Sequence, residues 1–338
     1  MAYVALYRQW RPQDFDALVG QKAVKTTLKN ALASGKIAHA YLFSGPRGTG
    51  KTSMARILAK SLNCEQGPTA EPCGQCGNCQ RIVQGTSLDV IEIDAASNTS
   101  VDNIRDLREQ VAFTPAESRY KVYIIDEVHM LSTGAFNALL KTLEEPPEYA
   151  VILILTTNVG ALLPTILSRC VILSMKPARD EQVKKYLMQS MEIPDYKADI
   201  CVAFARGNVG KAKILAGSEE FDKVKEEAVS LLKSIKDMEI NEVVSAIKRI
   251  NEYKLDVNDY LDIFSVWYRD VLLFKATHDA NHLIFKEEIQ YIRRVADKST
   301  YEGIETIIDG LDKAKQRLTA NVNFDLTMEL LLMTIKEN

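Results

Sequence analysis

The sequence predicts an α/β fold in which a parallel sheet flanked by helices carries a nucleotide site, followed by helical domains. Short apolar runs rich in β-branched residues alternate with amphipathic stretches as far as Pro177. Such runs are typical of parallel strands that are buried between two layers of helices. Beyond Pro177 the apolar residues show helical spacing only. A glycine-rich segment after the first predicted strand adds the nucleotide site to this prediction.

Four strands are predicted in the first part of the chain, and helices are predicted between them. The strands are Tyr41–Ser44, Asp89–Ile93, Val122–Ile125 and Val151–Leu155. The helices in this part are Lys51–Leu62, Val101–Val111 and Phe136–Leu143. Later helical segments are Arg179–Met188, Ala198–Phe204, Phe221–Ser234 and most of the chain after Ile240. Strands that alternate with helices favour βαβ units and therefore a parallel sheet.

Composition and charge place the chain among globular proteins of two or three domains. It has 338 residues, of which 46% are hydrophobic and 26% charged, and its net charge is -3. An acidic pI of about 5.9 excludes a global basic footprint, so any contact with nucleic acid must be local. No apolar run approaches the ~20 residues of a membrane helix, and Met1–Trp10 contains no apolar signal core. We therefore expect a cytoplasmic protein without a membrane partner.

The segment Gly45–Thr52 fits the phosphate-binding pattern G-x-x-x-x-G-K-[ST] and lies between a predicted strand and a predicted helix. Glycines allow backbone N–H groups to close around phosphate oxygens. Lys51 is expected to reach the β- and γ-phosphates of ATP, and the Thr52 hydroxyl to bind Mg²⁺. A chance glycine turn is disfavoured because the strand, the loop and the helix all agree with the pattern. The residues expected to bind the nucleotide here are Gly45, Pro46, Arg47, Gly48, Thr49, Gly50, Lys51, Thr52 and Ser53.

Two acidic residues follow the predicted strand Val122–Ile125, at the strand end where ligands bind in open α/β sheets. Asp126 is the expected second Mg²⁺ ligand, and Glu127 is placed to activate the attacking water as a general base. A small-molecule kinase would use the same phosphate loop, but Glu127 favours water as the acceptor. Thr157, after the next predicted strand, is a candidate contact to the γ-phosphate and the water, with a simple polar turn as the alternative.

Four of the six cysteines lie close together, with short spacings between them. In a cytoplasmic chain such a cluster indicates metal binding rather than disulfides. Four thiolates suit tetrahedral Zn²⁺ and leave no open position, so we expect a structural zinc module over residues 64–79. Neighbouring glycines and prolines supply turns that let the sulfurs converge. The expected ligands are Cys64, Cys73, Cys76 and Cys79.

Seven segments of the first half match one family closely. They are Tyr7–Pro12, Val19–Gln21, His39–Thr52, Ile91–Ser97, Tyr123–Leu131, Phe136–Glu148 and Pro164–Cys170. These segments resemble the clamp-loader branch of the AAA+ ATPases, in particular the gamma/tau subunits of bacterial DNA polymerase III. The cysteine cluster also matches a zinc module that this family carries after the phosphate-loop helix.

The resemblance implies further site residues. Arg169, in the Ser-Arg-Cys motif, matches an arginine that acts in trans on the ATP of a neighbouring subunit, where it stabilises charge on the transferred phosphoryl group. Thr157 matches the sensor position of the family. Residues in the segments that wrap the adenine in relatives complete the expected nucleotide contacts. They are Tyr7, Arg11, Pro12 and Val19.

The second half departs from the gamma/tau pattern. Relatives of that type carry a second sensor arginine in a Gly-x-x-Arg-Asp-Ala pattern, whereas Gly210 stands in its place here, with Lys211 beside it. The segments Arg206–Ala212 and Trp267–Phe274 are more similar to delta-prime subunits of the same complex. The resemblance therefore implies a gamma/tau-like motor with a delta-prime-like C-terminal half and weakened nucleotide sensing. The type of subunit stays open.

Three domains follow from the resemblance: an ATPase domain over residues 1–177, a helical lid over 178–236 and a helical collar for oligomerisation over 237–338. The implied function is ATP-driven loading of a sliding clamp onto primed DNA by one subunit of a hetero-oligomer, without a polymerase site in this chain. Two alternatives stay open. One is a non-hydrolysing, delta-prime-like scaffold subunit of the same complex. The other is another AAA+ ATPase that remodels DNA.

Primer–template DNA is therefore an implied partner, along with the clamp and the other clamp-loader subunits. Helix N-termini and polar side chains are the groups expected to face its phosphates. A plain helix cap explains each candidate equally well. The candidates are Ser97, Asn98, Thr99, Arg105, Ser132 and Thr133.

Overall fold

The computed structural model describes residues 11–97, 110–252 and 257–338. The chain divides into two compact units. The first consists of Met1–Val183 and Gly207–Gly210, and the second of Lys184–Arg206 and Lys211–Asn338. A further division of the second unit into a lid and a collar near residue 236 stays a prediction.

A five-stranded parallel sheet forms the centre of the first unit. Its strands are β1 (Ala40–Ser44), β2 (Val90–Asp94), β3 (Lys121–Asp126), β4 (Ala150–Thr156) and β5 (Val171–Ser174). Their order across the sheet is β2-β3-β4-β1-β5. The parallel sheet and the four predicted strands are thus confirmed, with ends that differ by at most one residue.

Strand β5 was not among the predicted strands. This strand has four residues and lies at one edge of the sheet. Val171 and Ile172 are 40% and 46% exposed. A run this short does not differ from a loop by periodicity, and pairing with β1 is what makes it a strand.

Helices cover both faces of the sheet. In β4, Leu153 and Leu155 belong to one buried cluster with Met54 and Leu58, while Ile152 belongs to a second cluster with Phe136 and Leu139 on the other face. This alternation follows from the two-residue period of a strand. The helices of this part are α1 (Lys22–Ser34), α2 (Lys51–Asn63), α3 (Gly77–Gln84), α4 (Thr133–Glu144) and α5 (Pro164–Leu167). Most of the predicted helix Val101–Val111 lies outside the described residues.

The second part of the chain is helical, as predicted, and contains no strand among its described residues. The helices are α6 (Asp180–Ser190), α7 (Asp195–Ala205), α8 (Val209–Ala216), α9 (Glu219–Ser234), α10 (Ile240–Glu252), α11 (Val257–Thr277), α12 (Ile289–Lys298), α13 (Tyr301–Thr319) and α14 (Phe324–Glu337). Trp267 is fully buried in α11, with its ring centroid 5.8 Å from that of Phe285. Across the described residues, every helix is too short or too polar to cross a bilayer.

Candidate nucleotide and metal sites

The phosphate loop connects the buried strand β1 to the first turn of α2. Gly45, Gly48 and Gly50 have φ angles of 152°, 77° and 93°, a region that favours glycine. A Cβ atom on Gly45 would lie 2.1 Å from the carbonyl oxygen of Met175. The Gly45 N–H donates to the Thr156 carbonyl at 3.2 Å. The loop is therefore held against the ends of the neighbouring strands β4 and β5.

Lys51 and Thr52 are the first two residues of α2, directly after this loop. The Lys51 ammonium donates to the carbonyl oxygens of Gly45 at 2.8 Å and Pro46 at 3.0 Å. Burial lowers the pKa of Lys51, and the negative charges of Glu127 and Asp126 oppose this shift. The Thr52 hydroxyl donates to Asp126 Oδ2 at 2.8 Å. The two predicted Mg²⁺ ligands are thus in direct contact.

Glu127 follows β3 directly and has a φ of 47°, which is uncommon for a residue with a side chain. Its backbone N–H donates to Asp126 Oδ1 at 2.9 Å. Thr157, after β4, donates its hydroxyl to Glu127 Oε2 at 3.4 Å. Arg47 Nε in the phosphate loop lies 3.6 Å from Glu127 Oε1. The fold therefore brings five predicted site residues together at the carboxyl-terminal ends of the strands. They are Arg47, Lys51, Asp126, Glu127 and Thr157.

The remaining predicted loop residues are found in the same segment. The Thr49 hydroxyl donates to the Pro46 carbonyl at 2.9 Å, and Ser53 is half-buried in the first turn of α2. A Cβ atom on Gly50 would lie 3.2 Å from Leu18 Cδ1, so the chain before α1 packs against the loop. Three of the four predicted adenine contacts are half-buried, namely Arg11, Pro12 and Val19. The fourth, Tyr7, lies outside the described residues.

Two further residues of this site were not among the predicted site residues. Gln21 donates from Nε2 to the carbonyls of Lys176 at 2.6 Å and Thr49 at 3.3 Å. His129 lies with Nδ1 at 3.2 Å from Thr156 Oγ1 and 3.5 Å from Glu127 Oε2. Both residues belong to segments that carry the family resemblance, which is the signal that could have identified them.

Arg169 lies after α5 and before β5, and its side chain is 33% exposed. Its guanidinium donates from Nη2 to Glu144 Oε1 and from Nη1 to the Thr165 carbonyl, both at 2.9 Å. The arginine is therefore partly accessible and is oriented by its own chain. Its action on a neighbouring subunit stays a prediction.

Gly210 stands where gamma/tau relatives are expected to carry the second sensor arginine. It belongs to the segment Gly207–Gly210, which is part of the first unit. A Cβ atom on Gly48 would lie 2.0 Å from Asn208 Nδ2, so the Asn208 side chain rests on the phosphate loop. Lys211, next to Gly210, pairs with Asp259 at 2.8 Å within the second unit. Asn208 rather than Lys211 is thus the side chain of this segment that reaches the loop.

The four clustered cysteines have their sulfur atoms within 4.8 Å of one another. Tetrahedral Zn²⁺ with Zn–S bonds of about 2.3 Å sets neighbouring sulfurs about 3.8 Å apart, which this arrangement accommodates. Backbone N–H groups of Gln75 and Cys76 lower the pKa of the Cys73 thiol to about 6, and burial raises the pKa of Cys79. The donor set and its geometry fit a structural Zn²⁺.

The cluster is fixed between α2 and α3. Cys64 follows the last residue of α2, and Cys76 is the N-cap of α3 and accepts from the Cys79 N–H at 3.5 Å. Asn78 donates to the Asn63 carbonyl at 2.9 Å. Lys60, in the last turn of α2, is buried and donates to the Gln13 side chain at 3.0 Å. The phosphate loop and the cysteine cluster are therefore at opposite ends of one helix.

The candidate DNA contacts lie near helix or strand ends. The Ser132 hydroxyl accepts from the Ala135 N–H at 3.3 Å and caps α4, which begins at Thr133. The exposed Ser97 donates to Asp94. Three further candidates lie outside the described residues, namely Asn98, Thr99 and Arg105. Capping explains Ser132 without a DNA contact, and DNA binding stays a prediction.

Two family models match the chain. Residues 20–179 match the model described as DNA polymerase III, delta subunit. Residues 220–337 match the model described as DNA polymerase III, delta subunit, C terminal.

Curated relatives match over greater lengths. The DNA polymerase III subunit gamma of Buchnera aphidicola subsp. Schizaphis graminum (strain Sg) is 34% identical, with 98% of each chain covered. The DNA polymerase III subunit tau of Bacillus subtilis (strain 168) is 39% identical over 94% of this chain and 60% of its own length. The subunit tau of Escherichia coli (strain K12) is 58% identical over 55% of this chain and 29% of its own length. The chain thus spans less than two thirds of both tau subunits.

Proposed function

This chain belongs to the family of DNA polymerase III gamma and tau subunits, and we propose that it is an ATP-hydrolysing subunit of a bacterial clamp loader. In this proposal it couples ATP binding and hydrolysis to the loading of a sliding clamp onto primed DNA. It acts as one member of a hetero-oligomer with the other clamp-loader subunits. The single observation that carries the proposal is that the phosphate loop, Asp126, Glu127 and Thr157 contact one another at the carboxyl-terminal ends of the strands.

The chemistry assigns a role to each of these residues. Backbone N–H groups of the loop and the N-terminus of α2 bind the phosphates, and Lys51 exchanges its contacts to loop carbonyls for phosphate oxygens. Water attacks the γ-phosphorus, Glu127 takes a proton from the water, and the bond from the γ-phosphorus to the bridging oxygen breaks. ADP and phosphate are the products. Thr157, in contact with Glu127, is placed to orient the water.

Thr52 and Asp126 are the residues that would hold Mg²⁺, since their oxygens are already 2.8 Å apart. When bound, Mg²⁺ neutralises charge on the β- and γ-phosphate oxygens. Arg169 is proposed to supply a positive charge to the ATP of the neighbouring subunit. Cys64, Cys73, Cys76 and Cys79 are proposed to hold a structural Zn²⁺.

A non-hydrolysing scaffold subunit of the same complex is the second candidate function. Gly210 in place of the sensor arginine and the matches to the delta-subunit models favour it. The complete set of Lys51, Thr52, Asp126 and Glu127 favours the motor, because a scaffold has no need of a water-activating carboxylate. Another DNA-remodelling AAA+ ATPase is disfavoured by the family to which the chain belongs.

The test is Lys51→Ala in the reconstituted clamp loader, with clamp and primed DNA present. We expect DNA-stimulated ATP turnover to fall about 100-fold or more, because a charge that stabilises the developing phosphate is lost. Steady-state phosphate release is the measurement. Lys36→Ala, at an exposed lysine of the same unit, is the matched control and should turn over ATP like the wild type. Unchanged turnover in Lys51→Ala would support the scaffold.

A further inference from the structure

His129 is a residue of this site for which the chemistry above has no role. It lies in a short 3-10 turn, Val128–Met130, that starts directly after Glu127. Its side chain is 20% exposed. Nδ1 faces two oxygens, Thr156 Oγ1 at 3.2 Å and Glu127 Oε2 at 3.5 Å. The ring therefore lies between the end of β4 and the carboxylate that follows β3.

The hydrogen bonds of Thr156 favour the tautomer of His129 that carries its proton on Nδ1. A threonine hydroxyl has one proton to donate. Thr156 donates it to the Asn158 carbonyl at 3.1 Å and accepts from the Asn158 N–H at 3.0 Å. Since that proton goes to Asn158, the tautomer of His129 with its proton on Nδ1 lets both hydrogen bonds form at once. The carboxylate oxygen Oε2 of Glu127 lies 3.5 Å from the same nitrogen.

Three groups from three segments thus surround the Glu127 carboxylate. His129 Nδ1 and the Thr157 hydroxyl both approach Oε2, and Arg47 Nε approaches Oε1 from the phosphate loop. Arg47 is 87% exposed, so solvent weakens its hold on the carboxylate. His129, by contrast, is only 20% exposed, so solvent weakens its contact with the carboxylate less. His129 is the better placed of the two to orient a base.

We infer that His129 is a positioning residue for Glu127. Its Nδ1–H, with the Thr156 hydroxyl as its second acceptor, sets the direction of the carboxylate that takes the proton from the attacking water. This inference rests on the proposed ATPase function. Because the phosphates are bound by the loop backbone and α2 rather than by His129, its loss acts on the turnover rate and leaves ATP affinity almost unchanged.

The test compares His129→Asn and His129→Gln in the reconstituted clamp loader with clamp and primed DNA. An asparagine amide places an N–H near the position of Nδ1, whereas a glutamine amide places it further out, near Nε2. Both variants are polar and similar in size, so folding alone does not separate them. We expect kcat to fall between about 10- and 100-fold in His129→Gln, as for a misplaced catalytic group. His129→Asn should recover most of that loss, with the Kd for ATP within about twofold of wild type in both.

Equal kcat values for the Asn and Gln variants would overturn the role of His129, as would a parallel loss of ATP affinity. His129→Leu is a third variant that removes every donor and should be at least as slow as His129→Gln. The ATP turnover of the wild-type complex distinguishes a failure of this inference from a failure of the proposed ATPase function. If the wild-type complex hydrolyses ATP no faster than Lys51→Ala, the ATPase proposal is wrong and the positioning role is lost with it. If the wild type is active and His129→Gln is equally active, only the positioning role is wrong.

Discussion

Gly45 joins β1 to the phosphate loop, and its backbone permits no other residue. The φ of 152° is accessible to glycine, and the nearest neighbour of a Cβ atom there would be a backbone oxygen of Met175 at 2.1 Å. A backbone atom cannot rotate away as a side chain can. Any larger residue must therefore displace either the loop or the segment after β5.

We expect Gly45→Ala to lower the free energy of unfolding by about 3 kcal/mol or more, since strain and a steric clash combine. ATP affinity should fall on the order of tenfold or more, because the N–H groups that face the phosphates move with the loop. Chemical denaturation and fluorescence titration with an ATP analogue measure the two effects.

Gly35→Ala is the matched control. Gly35 also has a positive φ, 65°, but a Cβ atom there would meet nothing within 4 Å. It should cost about 1 kcal/mol from backbone strain alone, without a change in ATP affinity. Equal costs at the two positions would contradict the assignment of the clash with Met175.

At the scale of secondary-structure elements, α2 connects the two candidate sites of the first unit. Its first residue is Lys51, and Cys64 follows its last residue. Apolar side chains of α2, including Met54 and Leu58, pack fully buried against the sheet. The cysteine cluster closes the loop between α2 and α3, a segment with few apolar residues of its own. We therefore expect the metal to supply stability that the local sequence lacks.

Cys79→Ser should abolish stoichiometric zinc binding and lower the melting temperature, with a stability loss on the order of several kcal/mol. Metal analysis of the purified chain and calorimetry provide the measurements. Cys201→Ser makes the same chemical change at a buried cysteine outside the cluster, and it should keep its zinc. A Cys79→Ser chain that retains one zinc per molecule would show that the cluster is not the site.

At the scale of the whole molecule, this chain is proposed to complete the ATP site of a neighbouring subunit. Arg169 is partly exposed, and contacts to Glu144 and Thr165 fix its direction. Charge donated across a subunit boundary makes hydrolysis depend on assembly. Turnover would then occur only in the complete complex, where clamp and DNA are also present.

Arg169→Ala should leave the chain's own ATP affinity unchanged but reduce turnover of the assembled complex by about 10³-fold, the usual worth of an arginine finger. Arg169→Lys should also be slow, because an ammonium lacks the planar fork of a guanidinium. Phosphate release by the assembled complex is the measurement, and Lys36→Ala serves again as control. Loss of ATP binding by the isolated Arg169→Ala chain would instead assign the arginine to its own site.

The sequence alone was sufficient to identify the local candidate sites of this protein. The phosphate loop, the acidic pair after β3 and the four cysteines are short contiguous patterns, and their chemistry depends on residue types at fixed spacings. Strands β1, β3 and β4 were predictable because each is an apolar run buried on both faces. Strand β5 was not, because its identity as a strand depends on its pairing with β1.

Only the tertiary structure shows which residues, beyond the predicted site residues, contact the nucleotide site. Asn208 rests on Gly48, Gln21 bonds to Thr49, and His129 joins Thr156 to Glu127. The contact between His129 and Thr156 depends on the strand order, because β3 and β4 are neighbours in the sheet. Hydrophobic periodicity specifies which face of a strand is buried but not which strand lies beside it. For that reason the residues proposed to carry out the chemistry could be identified as candidates from the sequence, whereas the contacts that position them became apparent only in the fold.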